Sequence, residues 1–427
     1  MTHLKQLSLF ITEYCNLRCD YCFSPRFGKK CIDFEIAQRA IDCLFRNSGD
    51  ESSLRVSFWG GEPLSSFDLL KRIVQYCMEM KDQCKKKIQF SIPTNATLLN
   101  EHILDFLQEH QIALSLSIDG TQQSQAVRKT ANGKSSFPLV ERSLAFIKKR
   151  LMDPPLSIRK TVAPWAVQNL YADIDFFIGQ SFSLISFSPV MEERWTVHDY
   201  EVYRNELFRV ADRWIEELRK GSNISIRLWD ELFLVKRLQK IKAFSKKLLY
   251  YCGVGDCMIA CDVNGTFYPC HRFVFYDRET KAKCLGNTEN GLTETKVFES
   301  FQKIEEKAIL KKNYKCSICR YSDICLVFCP AINYRLTGNI LKIDDRLCRY
   351  MFIAGETLHY IERKIGEEKC FKDYIRNSVL KRYLNDPGSK YFSLFWDKVQ
   401  NEDKDALVMK AESLLKRTCE EKQRYEK

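Results

Sequence analysis

The sequence predicts an α/β protein: a partial (β/α)6, TIM-like barrel, then a cysteine-rich segment and a helical C-terminal tail. Three observations predict it. Six strand-like runs alternate with helix-length stretches over the first 195 residues, the pattern then turns to helices alone, and cysteines crowd between Cys252 and Cys348. The six runs are LSLFIT, RVSFWGG, KIQFSIPTN, IALSLSIDG, LSIRKTVA and LISFSPV. Each is short and rich in β-branched or aromatic residues, and most precede a stretch with helical apolar spacing, such as Phe34 to Phe45 or Leu99 to Leu107. Successive βα units imply a parallel sheet, whose ligands are expected at the carboxyl edges of the strands. Beyond the barrel, helices are expected at Asp199 to Lys220 and Asp230 to Leu249. The expected division is a barrel over 1–195, a helical bridge over 196–250, the cysteine-rich domain over 251–350 and a helical extension over 351–427, including Asp405 to Leu415.

With 427 residues, 45% of them hydrophobic, the chain can bury a core without disulfides. Its nineteen cysteines therefore need another explanation. The N-terminal run MTHLKQLSLFITEYC has neither the apolar stretch nor the cleavage site of a signal peptide, so the thiols read as reduced ligands in a cytosolic protein. No run approaches the apolar length of a membrane span. The formal net charge of +12 suits either solvated helix faces or a docking surface for an acidic peptide, an acidic electron donor or RNA. No aromatic-plus-basic cluster of an RNA-binding module is evident, and no nucleic acid is expected as partner.

Cys15, Cys19 and Cys22 stand in TEYCNLRCDYCF, spaced C-x3-C-x2-C, directly after the first predicted strand. Four cysteines close a 4Fe-4S cube, whereas three leave one iron free for a small molecule. The competing reading is zinc, which needs a fourth ligand that no nearby residue supplies at ordinary spacing.

On these residues the sequence resembles the radical S-adenosylmethionine (SAM) superfamily. The resemblance implies that the open iron chelates SAM and that reductive cleavage gives methionine and a 5'-deoxyadenosyl radical. Gly60, Gly61, Glu62 and Pro63 match the GGEP run that binds the SAM amino group in that family. Tyr21 matches the aromatic position near adenine, and Ser117, Asp119 and Gly120 match the fourth-strand motif beside the ribose and methionine portions. Asn95 belongs to TNAT where relatives usually show TNGT, so Ala96 replaces a glycine. Relatives often carry a His-Asp pair shortly after the fourth strand, and here that stretch reads SQAVR.

Downstream, Cys316, Cys319, Cys325 and Cys329 are spaced C-x2-C-x5-C-x3-C, followed by Cys348; upstream, Cys252 precedes Gly265 and Cys270 in GTFYPC. This pattern looks like the SPASM domain, with a pair of zinc ribbons as the alternative. The resemblance implies two auxiliary 4Fe-4S clusters, three clusters in all. Cys252, Cys270 and Cys329 would hold the first, with Cys257 preferred over Cys261 as fourth ligand; Cys316, Cys319, Cys325 and Cys348 would hold the second. Cys31, Cys43, Cys77, Cys84, Cys284, Cys370 and Cys419 follow no ligand spacing and read as small buried residues.

Sulfatase-maturing relatives place a catalytic aspartate after the YPC cysteine, where this chain has His271. YPCHRF resembles instead the maturases of ribosomally made peptides, which install thioether or carbon-carbon crosslinks. His271 is the candidate catalytic residue, as proton acceptor or as hydrogen-bond donor beside a cluster ligand. The expected substrate is a precursor peptide or protein, with flavodoxin or ferredoxin as electron donor. Because the chain reaches its first strand almost at once, leader recognition is expected to use a separate protein, the bridge or the tail. Formylglycine formation and RNA modification are the alternative activities.

Overall fold

The structure is a computed structural model that describes residues 3–24, 28–150, 156–238, 253–254, 257–302, 304, 306–326 and 328–380. Cys252, Cys419, the stretch Asp405 to Leu415 and the end of the expected helix at Leu249 lie outside the described residues. The chain divides into two compact units. The first comprises Met1–Glu206, Gly253–Ile304 and Pro330–Lys342; the second comprises Leu207–Cys252, Glu305–Cys329 and Ile343–Lys427.

In the first unit, six strands lie side by side in chain order: β1 (Gln6–Thr12), β2 (Ser53–Gly60), β3 (Lys87–Thr94), β4 (Ile112–Leu116), β5 (Ser157–Val162) and β6 (Leu184–Pro189). Every pairing between them is parallel, as in Leu9 opposite Phe58 and Val56 opposite Phe90. Parallel pairing demands a crossover after each strand, which the helices supply. Helix α1 (Phe34–Arg46) buries Ala37, Ala40, Ile41 and Leu44, one stripe at helical spacing. Helix α2 (Phe67–Cys84) ends on Lys85 in the left-handed conformation, and α3 (Glu101–Glu109) begins where the Asn100 side chain accepts from Ile103 N at 2.9 Å. Such an N-cap contributes about 1 kcal/mol. Helices α4 (Phe137–Lys148) and α5 (Leu170–Gly179) complete the crossovers up to β6.

The outer edge of β1 is covered by β7 (Met258–Cys261), parallel to it with Leu7 opposite Ile259. A tight hairpin then returns as β8 (Thr266–Tyr268), antiparallel to β7, and β9 (Gly286–Asn287) pairs beyond it. The hairpin turn is DVNG: Asp262 Oδ1 accepts from Asn264 N (2.9 Å) and Thr266 N (2.8 Å), and Gly265 takes φ +83°. That glycine is conformationally required, and it aims the following residues, including Cys270, from a strand anchored to the barrel sheet.

Helix α6 (Val197–Arg219) starts in the first unit and ends in the second, where α7 (Arg227–Leu238) follows. Within the second unit a 21-residue helix, Asp345–Ile365, packs an apolar stripe that includes Leu347, Met351, Ala354 and Leu358. Trp214, Trp229, Phe233 and Phe371 form the aromatic centre of this unit.

Candidate active site

Cys15, Cys19 and Cys22 occupy the loop after β1, and the GGEP run at the end of β2 lies against the backbone of that loop. Gly61 N donates to Thr12 O (3.0 Å) and Glu62 N donates to Tyr14 O (2.8 Å). No side chain fits there: a Cβ on Gly60 would sit 2.3 Å from Thr12 O, and one on Gly61 2.4 Å from Tyr14 O. The two glycines thus have a physical reason, the close approach of two chains.

Glu62 fastens β2 to β3. Its Oε1 accepts from Leu64 N (3.0 Å) and Thr94 Oγ1 (2.8 Å), and its Oε2 accepts from Asn95 N (2.7 Å). Burial pushes its carboxyl above the usual range, opposed by these same three hydrogen bonds. Pro63 opens a single 3-10 turn, Pro63–Ser66. Asn95 ties β3 to the cysteine loop: Nδ2 donates to Asn16 Oδ1 at 2.9 Å, while Oδ1 accepts from Thr97 N and Thr97 Oγ1 at 3.0 and 2.6 Å. Ala96 between them holds φ +66°, the conformation that favours the glycine of TNGT. Chirality makes that conformation cost about 1–2 kcal/mol for an L-residue.

The opposite wall is built around Asp119. Tyr21 Oη donates to its Oδ2 (2.5 Å), Arg128 Nη2 to its Oδ1 (3.2 Å), and Thr161 N to its Oδ1 (3.2 Å). The carboxylate is 1% exposed, so Asp119 meets the cavity through Tyr21 and Arg128. Arg128 is brought there by a short antiparallel ribbon of Leu17–Cys19 and Arg128–Thr130, in which Cys19 faces Arg128. Its Nε lies 3.1 Å from Asp119 Oδ2, a buried ion pair whose angle makes no hydrogen bond.

These groups enclose a cavity of about 270 Å³, lined by Cys15, Cys19, Cys22, Tyr21, Gly60, Gly61, Glu62, Pro63, Asn95, Ser117, Arg128 and His271 among others. Burial pushes the Cys15 thiol up to about 11 and the Cys19 thiol up to about 12, the latter against the opposing charge of Arg128. Protonated thiols at neutral pH become thiolates when a metal centre repays the charge. Among the described residues, no three His, Cys, Asp or Glu side chains are placed to share one metal ion. The thiols line the cavity without meeting at a point, an arrangement suited to a cube that spreads its cysteines over separate irons. The donor set, the glycine cradle and the Arg128 guanidinium on the wall fit a three-cysteine cluster and an anionic ligand beside it.

His271 forms part of the same wall. Its ring stacks on Trp59 at 4.2 Å and 10°, and the Arg159 guanidinium lies 5.8 Å from the Trp59 ring. Burial first, then the charges of Arg272 and Arg159, hold the imidazole well below its usual range, so it is neutral. At the rim, Arg272 Nη1 donates to Glu192 Oε1 (2.9 Å) and to Tyr276 Oη (2.6 Å), and Tyr276 donates to Glu192. Arg272 also lies 5.3 Å from the ring of Phe23, next to Cys22 in sequence. Neither Trp59 and Arg128 nor Glu192 and Arg272 stand out in the sequence, because each belongs to a strand or turn that reads as ordinary.

Among the other cysteines, Cys270 follows β8 and is buried, as is Cys257 before β7. Cys261 is fully buried in β7 and donates to Asp262 O at 3.5 Å. In the second unit, Cys348 comes beside Cys316 and Cys319. Burial raises its thiol, Lys315 opposes this, and the two neighbouring cysteines reinforce it. Asn313 organises this segment, accepting from Ile343 N at 2.8 Å through its side chain and from Cys316 N at 2.9 Å through its carbonyl.

Residues 9–159 match the family model of the Radical SAM superfamily. An uncharacterized protein of Methanocaldococcus jannaschii is 40% identical over 223 residues, covering 51% of this chain and 76% of that one. The chain belongs to the radical SAM superfamily. Membership implies a 4Fe-4S cluster and SAM, for which the three thiols and the cavity beside them are the fitting donors. A cysteine-type anaerobic sulfatase-maturating enzyme of Clostridium perfringens is 26% identical over 344 residues, covering 75% of this radical SAM chain and 88% of its own. The fold is similar to that of native anSMEcpe with bound AdoMet and a peptide, with TM-score 0.67 and 21% identity over 86% of this chain and 99% of that one. No helix among the described residues is long and apolar enough to cross a membrane.

Proposed function

We propose that this radical SAM enzyme is a peptide maturase that forms a thioether or carbon-carbon crosslink within a precursor peptide. The observation that carries the reading is that the C-x3-C-x2-C thiols and His271 line one cavity. The cluster and SAM would supply the radical chemistry, removing a hydrogen atom from a peptide side chain. The chain's own residues do the rest. Cys15, Cys19 and Cys22 hold the cluster; Tyr21, Asn95, Ser117 and the backbone of Gly60 and Gly61 shape the SAM pocket, with Asp119 acting through Tyr21 and Arg128. Neutral His271 would accept the proton released as the substrate radical closes the crosslink, the accompanying electron passing to an auxiliary cluster.

The reading extends to residues 251–350 as a SPASM domain with two auxiliary clusters, one on Cys252, Cys257, Cys270 and Cys329 and the other on Cys316, Cys319, Cys325 and Cys348. Complete burial of Cys261 within β7 favours Cys257 as the fourth ligand. A flavodoxin or ferredoxin would donate electrons in the cytoplasm. Formylglycine formation is the second reading, favoured by the sulfatase-maturating relative that covers three quarters of the chain. His271 in place of the aspartate of such enzymes favours the crosslink.

Mass spectrometry of a precursor encoded beside this chain, incubated anaerobically with enzyme, SAM and reductant, separates the two. A crosslink removes a pair of hydrogens and suppresses fragmentation between the joined residues. A single-residue, hydrazide-reactive product on a sulfatase-type peptide would overturn the crosslink.

A further inference from the structure

A buried charged network, whose Lys160 also lines the cavity, grips the main chain on both sides of Asp119. Lys160 Nζ donates to the Asp119 carbonyl (2.7 Å) and to Asp173 Oδ2 (2.8 Å). The Asp119 N–H donates to Gln125 Oε1 (2.9 Å), and Gln125 Nε2 donates to Ser136 Oγ (2.9 Å). Asp173 is filled on every side: Oδ1 accepts from Thr121 N and Thr121 Oγ1, both at 2.9 Å, and Oδ2 accepts from Ser124 Oγ at 2.6 Å as well as from Lys160. Lys160 is 3% exposed, and Asp173 and Gln125 are 0% exposed. Gly120 holds φ +122°, and a Cβ there would sit 2.3 Å from Asp173 Oδ1.

We propose that Lys160, Asp173 and Gln125 are positioning residues for SAM: they fix the SIDG turn so that Asp119 holds Tyr21 and Arg128 at the cavity. The inference rests on the reading of that cavity as the SAM pocket. Three features carry it. A buried ion pair stabilises a fold little more than apolar residues of the same shape, so its stability value alone does not account for it. The pair and the glutamine converge on one residue, binding its carbonyl and its N–H. That residue's carboxylate then orders two side chains that line the cavity, and preorganised partners of this kind govern ligand geometry. Gln125 also stands in the SQAVR stretch that departs from the family's usual pair, which gives this stretch a role of its own.

The test is the charge-neutral double variant Lys160→Met/Asp173→Asn in anaerobically reconstituted enzyme. Calorimetric SAM affinity, the change in the reduced cluster's EPR signal on SAM addition, iron content and thermal midpoint are measured together. The expected result is a midpoint and iron content close to wild type with SAM affinity weakened at least about tenfold, since small misplacements at a site carry large penalties. Unchanged affinity in the folded, iron-loaded variant overturns the proposal. Because Lys160 also lines the cavity, Gln125→Met, which removes the acceptor of the Asp119 N–H, leaves the ion pair intact and lies outside the lining, is measured alongside and held to the same criterion. If wild-type enzyme itself binds no SAM, the reading of the cavity fails and the proposal with it.

Discussion

His271 stacks on Trp59 with ring centroids 4.2 Å apart and planes 10° from parallel. The stack joins the residue after Cys270 to the residue before the GGEP run, so the candidate base and the pocket's glycines share one support. His271→Phe retains a ring on Trp59 and removes both ring nitrogens. Peptide product should fall by about 100-fold, the scale of general base catalysis. Formation of 5'-deoxyadenosine should continue, measured by chromatography of the same reactions. Near-normal product would remove His271 from the chemistry.

The close approach of Gly61 to Tyr14 O predicts the effect of a single methyl. Gly61→Ala places a Cβ 2.4 Å from that carbonyl, so the loop carrying Cys15 must move. Reconstituted enzyme should lose about four irons, one cube, and cleave SAM poorly. Iron analysis beside circular dichroism checks this, and full iron with normal cleavage would show that the loop tolerates the shift.

Cys316 and Cys319 lie in the second unit, apart in sequence from the SAM cavity. Changing both to Ala should leave SAM cleavage in place while peptide modification fails. Loss of cleavage from a variant whose barrel is folded and whose first cluster is loaded would contradict this division of labour.

The net charge of +12 predicts salt-sensitive encounter with an acidic leader. With a Debye length of about 8 Å at physiological ionic strength, KM for the peptide should rise as salt is added while kcat changes little. A KM independent of salt would assign the charge to solvated helix faces.

Much of this molecule is legible in its sequence; Cys31 and Cys84, expected to be small buried residues, are exposed, and the other exceptions have a common cause. The run LSLFIT lies within β1, Gln6–Thr12, and Phe34 to Phe45 lies within α1, because short β-branched runs and apolar spacing are local signals. The three cysteines, GGEP and SIDG are also local. Arg128 is different: it reaches the site only through the register that sets it opposite Cys19. Gln125 gains its meaning from a hydrogen bond to the Asp119 N–H that no spacing encodes. Lys160 and Asp173 did leave a trace, a lysine inside SIRKTV and an aspartate inside the apolar LYADIDFFIG, charges where burial is expected. Such charges seek each other in the fold.

The most direct test of the central claim is iron content and SAM cleavage in the Cys15→Ala/Cys19→Ala/Cys22→Ala variant. Wild-type enzyme reconstituted without oxygen should hold about twelve irons, three cubes of four, and release 5'-deoxyadenosine with SAM and dithionite. The variant should hold about eight and release none. Continued cleavage of SAM by the variant would contradict the assignment of these three cysteines as the SAM-binding cluster.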